Sequence, residues 1–333
     1  MSAGVPLCSI AMDVLSDLLR VVRLDGAYFY PVEAAEPWCV VSARASELAP
    51  RILPGTEHLI SYHILIRGCC FAGLVGEEQV ELHAGDVILF PHGDPTVMSS
   101  ARSLSTSLTN SQAPARYPET VLIGEQGSRP TSFVCGFLGC ERRPFNPLLA
   151  ALPRLLHVRG MLDSWPGGFT RQLVEESRHQ RAGSETVLTR LAELMFIEVL
   201  RRHLSDLPPG QSGWLAALRD ETVGQALTLL HGAPERDWTL ASLSREVAAS
   251  RSNLVRRFTE LVGQPPMQYL ANWRMQIAAN LLTRRADKVA SIATEVGYDS
   301  EAAFSRAFKK ATGLAPGAWR AARGSSARLF SAA

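Results

Sequence analysis

The feature that most constrains this chain of 333 residues is a long-period repeat in its last third. Thr239 stands as an N-cap ahead of Leu240, Leu243 and Val247, whose i, i+3, i+7 spacing predicts a short amphipathic helix. Ala248-Ala249-Ser250 predicts a turn, with Ser250 capping a second helix. That helix buries Leu254, Phe258, Leu261 and Val262 and turns Arg251, Ser252, Asn253 and Arg256 outward. Gly263 ends it and Pro265-Pro266 follows. Some fifty residues on, the scheme returns. Val289, Ile292, Ala293 and Val296 predict the first helix, Gly297 the turn, and Asp299-Ser300 the cap of the second. This second helix buries Ala303, Phe304, Ala307 and Phe308 and exposes Glu301, Ala302, Ser305, Arg306, Lys309 and Lys310; Gly313 and Pro316 close it. Between the two pairs, residues 267–282 predict a continuous helix with Leu270, Trp273, Ile277 and Leu281 on one stripe. One helix pair with a basic outer face is common. Two in matching register around a stiff spacer point to paired helix-turn-helix readers, held about 34 Å apart in adjacent major grooves.

Charge is distributed in the same sense. From Asp220 onward 15 Lys and Arg stand against 10 Asp and Glu, a net of +5, while the remainder holds 19 basic and 22 acidic residues, a net of −3. The positive excess lies where a polyanion would be met. A chain of this length predicts two domains, and 46% hydrophobic with 20% charged residues excludes disordered and fibrous classes. No apolar run reaches the ~18 residues of a spanning helix. The N-terminal stretch lacks a basic region and is interrupted by Asp13 and Asp17, unlike a secretory signal. A cytoplasmic protein with no membrane partner is expected. Cysteines at 8, 39, 69, 70, 135 and 140 then meet a reducing compartment, and their spacings do not form zinc-finger pairs.

Ahead of the repeat the pattern is different. Residues 25–140 alternate short apolar runs with turn residues, most clearly from 59 to 91, where strands over 59–67, 70–75, 79–83 and 87–90 are separated by Gly68, Gly76-Glu77-Glu78 and Ala84-Gly85-Asp86. Residues 132–138 predict a further strand, and the whole suggests a small barrel or double-sheet jelly roll. After Pro144, residues 169–179 and 184–203 read as helices. The second, capped by Ser184, places Val187, Leu188, Leu191, Leu194, Met195 and Val199 on or near one face. Such an apolar helix needs a large partner, either the barrel or the same helix of a second subunit in a homodimer. Residues 207–213 (LPPGQSG) predict a linker.

Trp238 to Arg320 resembles the DNA-binding domain of AraC/XylS-type transcriptional regulators. The resemblance rests on LASLSREVAASRSNLVRRFTELVGQPPMQYLANWRMQIAANLL and IATEVGYDSEAAFSRAFKKATGLAPGAWR. It implies sequence-specific binding of promoter or operator double-stranded DNA, with RNA polymerase as partner and activation favoured over repression. By position, the family's base-reading sites fall on Ser252, Val255 and Arg256, and on Glu301, Ala302, Ser305 and Arg306. Ser252 and Val255 are short or apolar, so the first reader depends on Arg256. Arg256 and Arg306 suit bidentate bonds to guanine; Ser250, Ser300, Lys309 and Lys310 suit phosphates. Arg257 and Arg274 are open between DNA and carboxylates within the domain, and Phe258, Phe304, Phe308, Trp273 and Trp319 are core.

The strands from 59 to 91, with DVLSDLLRVVRLDGAYFYPVEAAEPW over residues 13–38, resemble the cupin-type barrel of one branch of these regulators. The expected class is therefore α+β: a cupin-like effector or sensor domain (1–144), a helical linker and dimerisation segment (145–206) and a bipartite DNA-binding domain (214–322). In related barrels two His and a thiol face one cavity. Here the candidates for zinc or another divalent metal are His63, His92, Cys70 and Cys135, although Thr96 stands where the branch would carry a His. Cys70, Cys135 and Cys140 are candidates for oxidation by an oxidant effector. Metal, thiol oxidation and an ordinary small-molecule pocket all stay open. The rival class is a metal-dependent, dioxygenase-like cupin enzyme fused to a DNA-binding domain. The region 68–76 lacks the dense His and Glu pattern that such enzymes carry, so no catalytic residue is assigned.

Overall fold

The computed structural model describes residues 8–21, 24–102, 120–124, 130–140, 144–161, 167–179, 181–208 and 213–322. Its contacts divide the chain into two compact units. One comprises Leu24–Glu141 and Leu152–Asp206, the other Met1–Arg23, Arg142–Ala151 and Leu207–Ala333. Helix α1 (Cys8–Val21) belongs to the second unit; the first begins with β1 (Leu24–Ala35).

In the β-rich unit, β1 is followed by β2 (Cys39–Ser42), α2 (Ala45–Ile52), β3 (His58–Arg67) and β4 (Cys69–Leu74). Then come β5 (Val80–His83), β6 (Val87–Phe90), β7 (Thr96–Ser99), β8 (Val121–Ile123) and β9 (Pro130–Cys140). After α3 (Pro147–Ala151), which lies in the second unit, β10 (Leu156–Val158), α4 (Gly167–Arg178) and α5 (Ser184–Asp206) complete it. The strands form a six-stranded sheet, β10-β6-β3-β9-β1-β8, and a four-stranded sheet, β2-β7-β4-β5. The predicted strands are all present, and the class is α+β. The core holds Trp38, Leu59, Cys70, Ala72, Phe90, Phe133, Cys135 and Phe137.

Successive strand residues face opposite sides of a sheet, yet β9 is buried at every position after Pro130. The helices explain this: α4 and α5 pack against β1, and α5 also against β10. The apolar face of α5, including Leu188, Leu191, Met195 and Val199, is therefore buried within its own unit. Val187 and Leu194 are not part of that face; both are exposed.

The helical unit contains α1, α3, α6 (Trp214–Ala217), α7 (Glu221–Gly232), α8 (Leu240–Glu246), α9 (Arg251–Val262), α10 (Pro266–Arg284), α11 (Val289–Glu295) and α12 (Glu301–Thr312). Val14, Leu15 and Leu18 of α1 are buried, and the helix packs against α7. Of the expected linker, residues 209–212 lie outside the described residues. The spacer α10 is not a rod with one apolar stripe. Tyr269, Leu270, Trp273, Met275, Gln276, Ala278, Ala279, Asn280 and Leu282 are all buried, because the helix packs against α9 on one side and α11 and α12 on the other.

A polar chain fixes α6 and α7 to this helix. Trp214 Nε1 donates to the Tyr269 hydroxyl at 2.9 Å, and that hydroxyl lies 2.8 Å from His231 Nε2. His231 stacks on Trp273 with ring centroids 4.2 Å apart. Burial holds the His231 imidazole neutral, with a pKa near 3. Phe145 joins the same stripe, its N–H donating to Gln276 Oε1 at 2.9 Å and its ring meeting Tyr269 edge-on.

Candidate nucleic-acid interface and barrel interior

Local chemistry sets each reader helix. Thr239 and Ser242 form a reciprocal capping box at the start of α8, with both side chain–backbone bonds at 3.0 Å. Ser250 Oγ accepts from the Asn253 N–H at 3.3 Å and Ser300 Oγ from the Ala303 N–H at 3.2 Å. Both hydroxyls thus act as caps, each keeping its own O–H to donate. Gly263 and Gly313 end α9 and α12 in the left-handed conformation, at φ 82° and 80°. The turn before α12 uses Gly297, where a Cβ would stand 2.6 Å from the Glu235 carbonyl oxygen. The turn before α9 uses Ala248 at φ 49°.

Leu254 and Phe258 anchor α9; Phe304 and Phe308 anchor α12, the latter ring meeting Trp319 edge-on. Leu261, Val262, Ala303 and Ala307, expected inside, are only half-buried. On the outer faces Ser250, Arg251, Ser252, Asn253 and Arg256 are exposed and Val255 is half-buried. On α12 Ser300, Glu301, Ala302, Arg306, Lys309 and Lys310 are exposed and Ser305 is half-buried. Arg257 points elsewhere: its Nε donates to Asp220 Oδ2 at 2.7 Å. Among the described residues Arg274 has no ion pair with a carboxylate; it donates to the carbonyls of Pro234 and Arg236, at 2.7 and 2.8 Å.

The two expected base-reading arginines differ. Arg256 Nη1 lies 2.9 and 3.1 Å from the two Glu260 oxygens, and Nη2 donates to Asn253 Oδ1 at 2.9 Å. Among the described residues, the side chains of Arg306, Lys309 and Lys310 have no hydrogen bond or ion pair. Glu260 was not among the expected site residues. Its i, i+4 spacing from Arg256 is the signal that could have found it.

In the β-rich unit, strand register places Tyr30, Cys135 and His63 side by side on β1, β9 and β3. His63 Nδ1 is 3.0 Å from Cys135 Sγ, which also receives the Tyr30 hydroxyl. Burial pushes the Cys135 thiol up to about 12, lowers His63 to about 4, and raises Cys70 as well. The proton therefore stays on sulfur. A thiol with that pKa has on the order of one thiolate in 100,000 at pH 7.

His92 does not join them. The chain turns after β6, and His92 Nε2 bonds the carbonyl of Leu152 at 2.8 Å. The set His63, His92, Cys70 and Cys135 is thus not assembled as a metal site. Among the described residues no group of three or more His, Cys, Asp or Glu could hold a metal ion. Cys140 lies five positions along β9 from Cys135, so the two thiols face opposite sides of the strand.

Two family models match this chain: a cupin model over residues 13–205 and a helix-turn-helix domain model over 243–322. A putative AraC-like transcription regulator of Streptomyces antibioticus is 32% identical over 320 residues, covering 93% of this chain and 98% of that protein. Its counterpart in Streptomyces lividans is 33% identical over 322 residues, with the same coverage. The chain belongs to the AraC family of transcription regulators. A third member of similar length, the HTH-type transcriptional regulator AlkR of Acinetobacter baylyi, is 28% identical over 307 residues, covering 90% of this chain and 96% of that protein. This AraC-type regulator therefore joins a cupin domain to a helix-turn-helix domain that binds DNA. Among its described residues no helix is long and apolar enough to cross a membrane.

Proposed function

We propose that this regulator is a cytoplasmic, effector-controlled activator whose α9 and α12 enter adjacent major grooves of one operator. The observation that carries the reading is the outer face of α12. Arg306, Lys309 and Lys310 are exposed there on a helix fixed from behind by Phe304 and Phe308. Arg306 is assigned to a guanine, and Lys309 and Lys310 to phosphates. The spacer α10, 19 residues and about 28 Å long, has nearly the span of one duplex turn.

Control is assigned to the barrel. The buried Cys70 and Cys135 thiols are held protonated, which makes their direct oxidation slow, and the candidate ligands are not assembled for a metal, which favours a small-molecule effector. The exposed Val187 and Leu194, one heptad apart on α5, suit a homodimer contact. RNA polymerase is the expected partner at the promoter. The effector shifts the population of DNA-competent molecules.

The test begins by sequencing DNA retained by the full chain, with and without candidate effectors. On that operator Arg306→Ala relaxes preference at one base pair, at a cost of about 1–3 kcal/mol. Lys309→Ala weakens all sequences evenly and lowers the salt slope by about one. If both variants bind as the unaltered protein does, the interface is elsewhere.

A further inference from the structure

The fifty-residue repeat aligns Asn253, Arg256 and Glu260 of α9 with Ala303, Arg306 and Lys310 of α12. Each reader thus carries an arginine at the same position. Only the first carries acceptors three residues before it and four residues after it. Those acceptors are engaged: Glu260 holds Nη1 through both oxygens and Asn253 holds Nη2, at 2.9–3.1 Å. The first turn that presents Asn253 is itself fixed, since Ser250 caps its N–H. Arg257, the next cation along, is tied to Asp220 and is no substitute.

We propose that Glu260, with Asn253, is a specificity-determining residue of the first reader, holding Arg256 on its own helix and releasing it to a base that offers two acceptors at once. The inference rests on reading the outer face of α9 as a DNA-contacting surface. Guanine presents O6 and N7 in the major groove, so one fork of N–H donors exchanges two intramolecular partners for two on the base. Where the base at that position offers no such pair, Arg256 can stay on Glu260 and the cost of release is not paid. Glu260 also repels the phosphates wherever the protein sits. Its charge therefore penalises all DNA, while its bond to Arg256 is a cost borne only where the guanidinium is drawn onto a base. In the second reader Lys310 replaces the carboxylate, so attraction to phosphate takes the place of restraint.

The experiment is a double-mutant cycle on the full chain. It uses the operator recovered by sequencing and a scrambled duplex of equal length, titrated at several salt concentrations. Glu260→Gln should tighten the operator about fivefold and the scrambled duplex about twofold, so the ratio of affinities rises about 2–3-fold. In an Arg256→Ala background the same substitution should tighten both duplexes equally and leave the ratio unchanged. An equal gain on both duplexes with Arg256 present would overturn the proposal, leaving Glu260 as a bare repulsive charge. A rise in the ratio that persists without Arg256 would overturn it too. Failure of the underlying interface is a distinct result: Glu260→Gln and Arg256→Ala would then leave binding to both duplexes unchanged.

Discussion

The two helix-turn-helix units share a backbone plan and divide its chemistry differently. Helices α8 and α11 are each 7 residues long, and α9 and α12 each 12. The first unit carries a full capping box on α8 and a left-handed alanine in its turn, and its reader arginine is paired on its own helix. In the second, Lys288 provides no side-chain cap, the turn has a glycine, and the reader arginine is unpaired among the described residues. Local order is stronger at the start of the first unit; readiness to contact DNA is greater in the second. A repeated fold therefore does not imply two equivalent readers.

The comparison can be broken most severely in the cores. Phe308→Ala should cost about 3–5 kcal/mol and Phe258→Ala a similar amount, because each ring is fully buried. Chemical denaturation checks both, and a loss below about 1 kcal/mol for either would mean that its helix is not held by that ring.

Acid should distinguish the units next. The pKa of His231 lies near 3 in the fold, below the 6.5 of a free imidazole, so the unfolded state binds more protons below that value. Its contribution is fully present above pH 6.5 and is lost as pH falls towards 3. Between pH 7 and 5 the loss is about 2 kcal/mol. His231 contacts Tyr269 and Trp273 beside α9, whereas the apolar cluster of Met275, Leu282, Ile292, Phe304, Phe308 and Trp319, with Tyr298 packed against it, includes no histidine among the described residues. Protection factors of the amides in α7 and α9, taken relative to the intrinsic exchange rate at each pH, should therefore fall at pH 5 before those in α12. An equal fall in both would contradict the contrast.

A smaller difference is expected on DNA. Arg306→Ala should weaken operator binding more than Arg256→Ala, by about 1 kcal/mol, since Arg256 must first leave Glu260 and Asn253. Titration of both variants on one operator measures it. The turns give the smallest effect. Ala248→Gly should stabilise by about 0.5 kcal/mol by relieving the left-handed alanine, while Gly297→Ala should destabilise by about 1 kcal/mol or more, against the carbonyl of Glu235. Thermal melts of the two variants should shift in opposite directions.

Much of this organisation was legible in the sequence because it is written in short-range chemistry. Thr239, Ser250 and Ser300 announce helix starts, Gly263 and Gly313 announce ends, and Gly68, Gly76 and Gly85 mark strand boundaries. Contacts between distant segments were not legible. Nothing in the apolar pattern of α1 says that it docks on α7, and nothing near His92 says that its imidazole meets Leu152. The face of α5 was legible at four of its six expected positions, because a wide apolar helix leaves its rotation to the partner, and Val187 and Leu194 turned outward. Arg256 is the instructive case. Its partner lies one helical turn away in plain view, yet a positive charge on a reader helix invites only thoughts of DNA.

Footprinting of the full chain on its own operator tests the central claim most directly. Two protected major-groove patches on one face of the duplex, about 10 base pairs apart, are predicted from the two readers flanking α10. A single protected groove, or two patches on opposite faces, would contradict it.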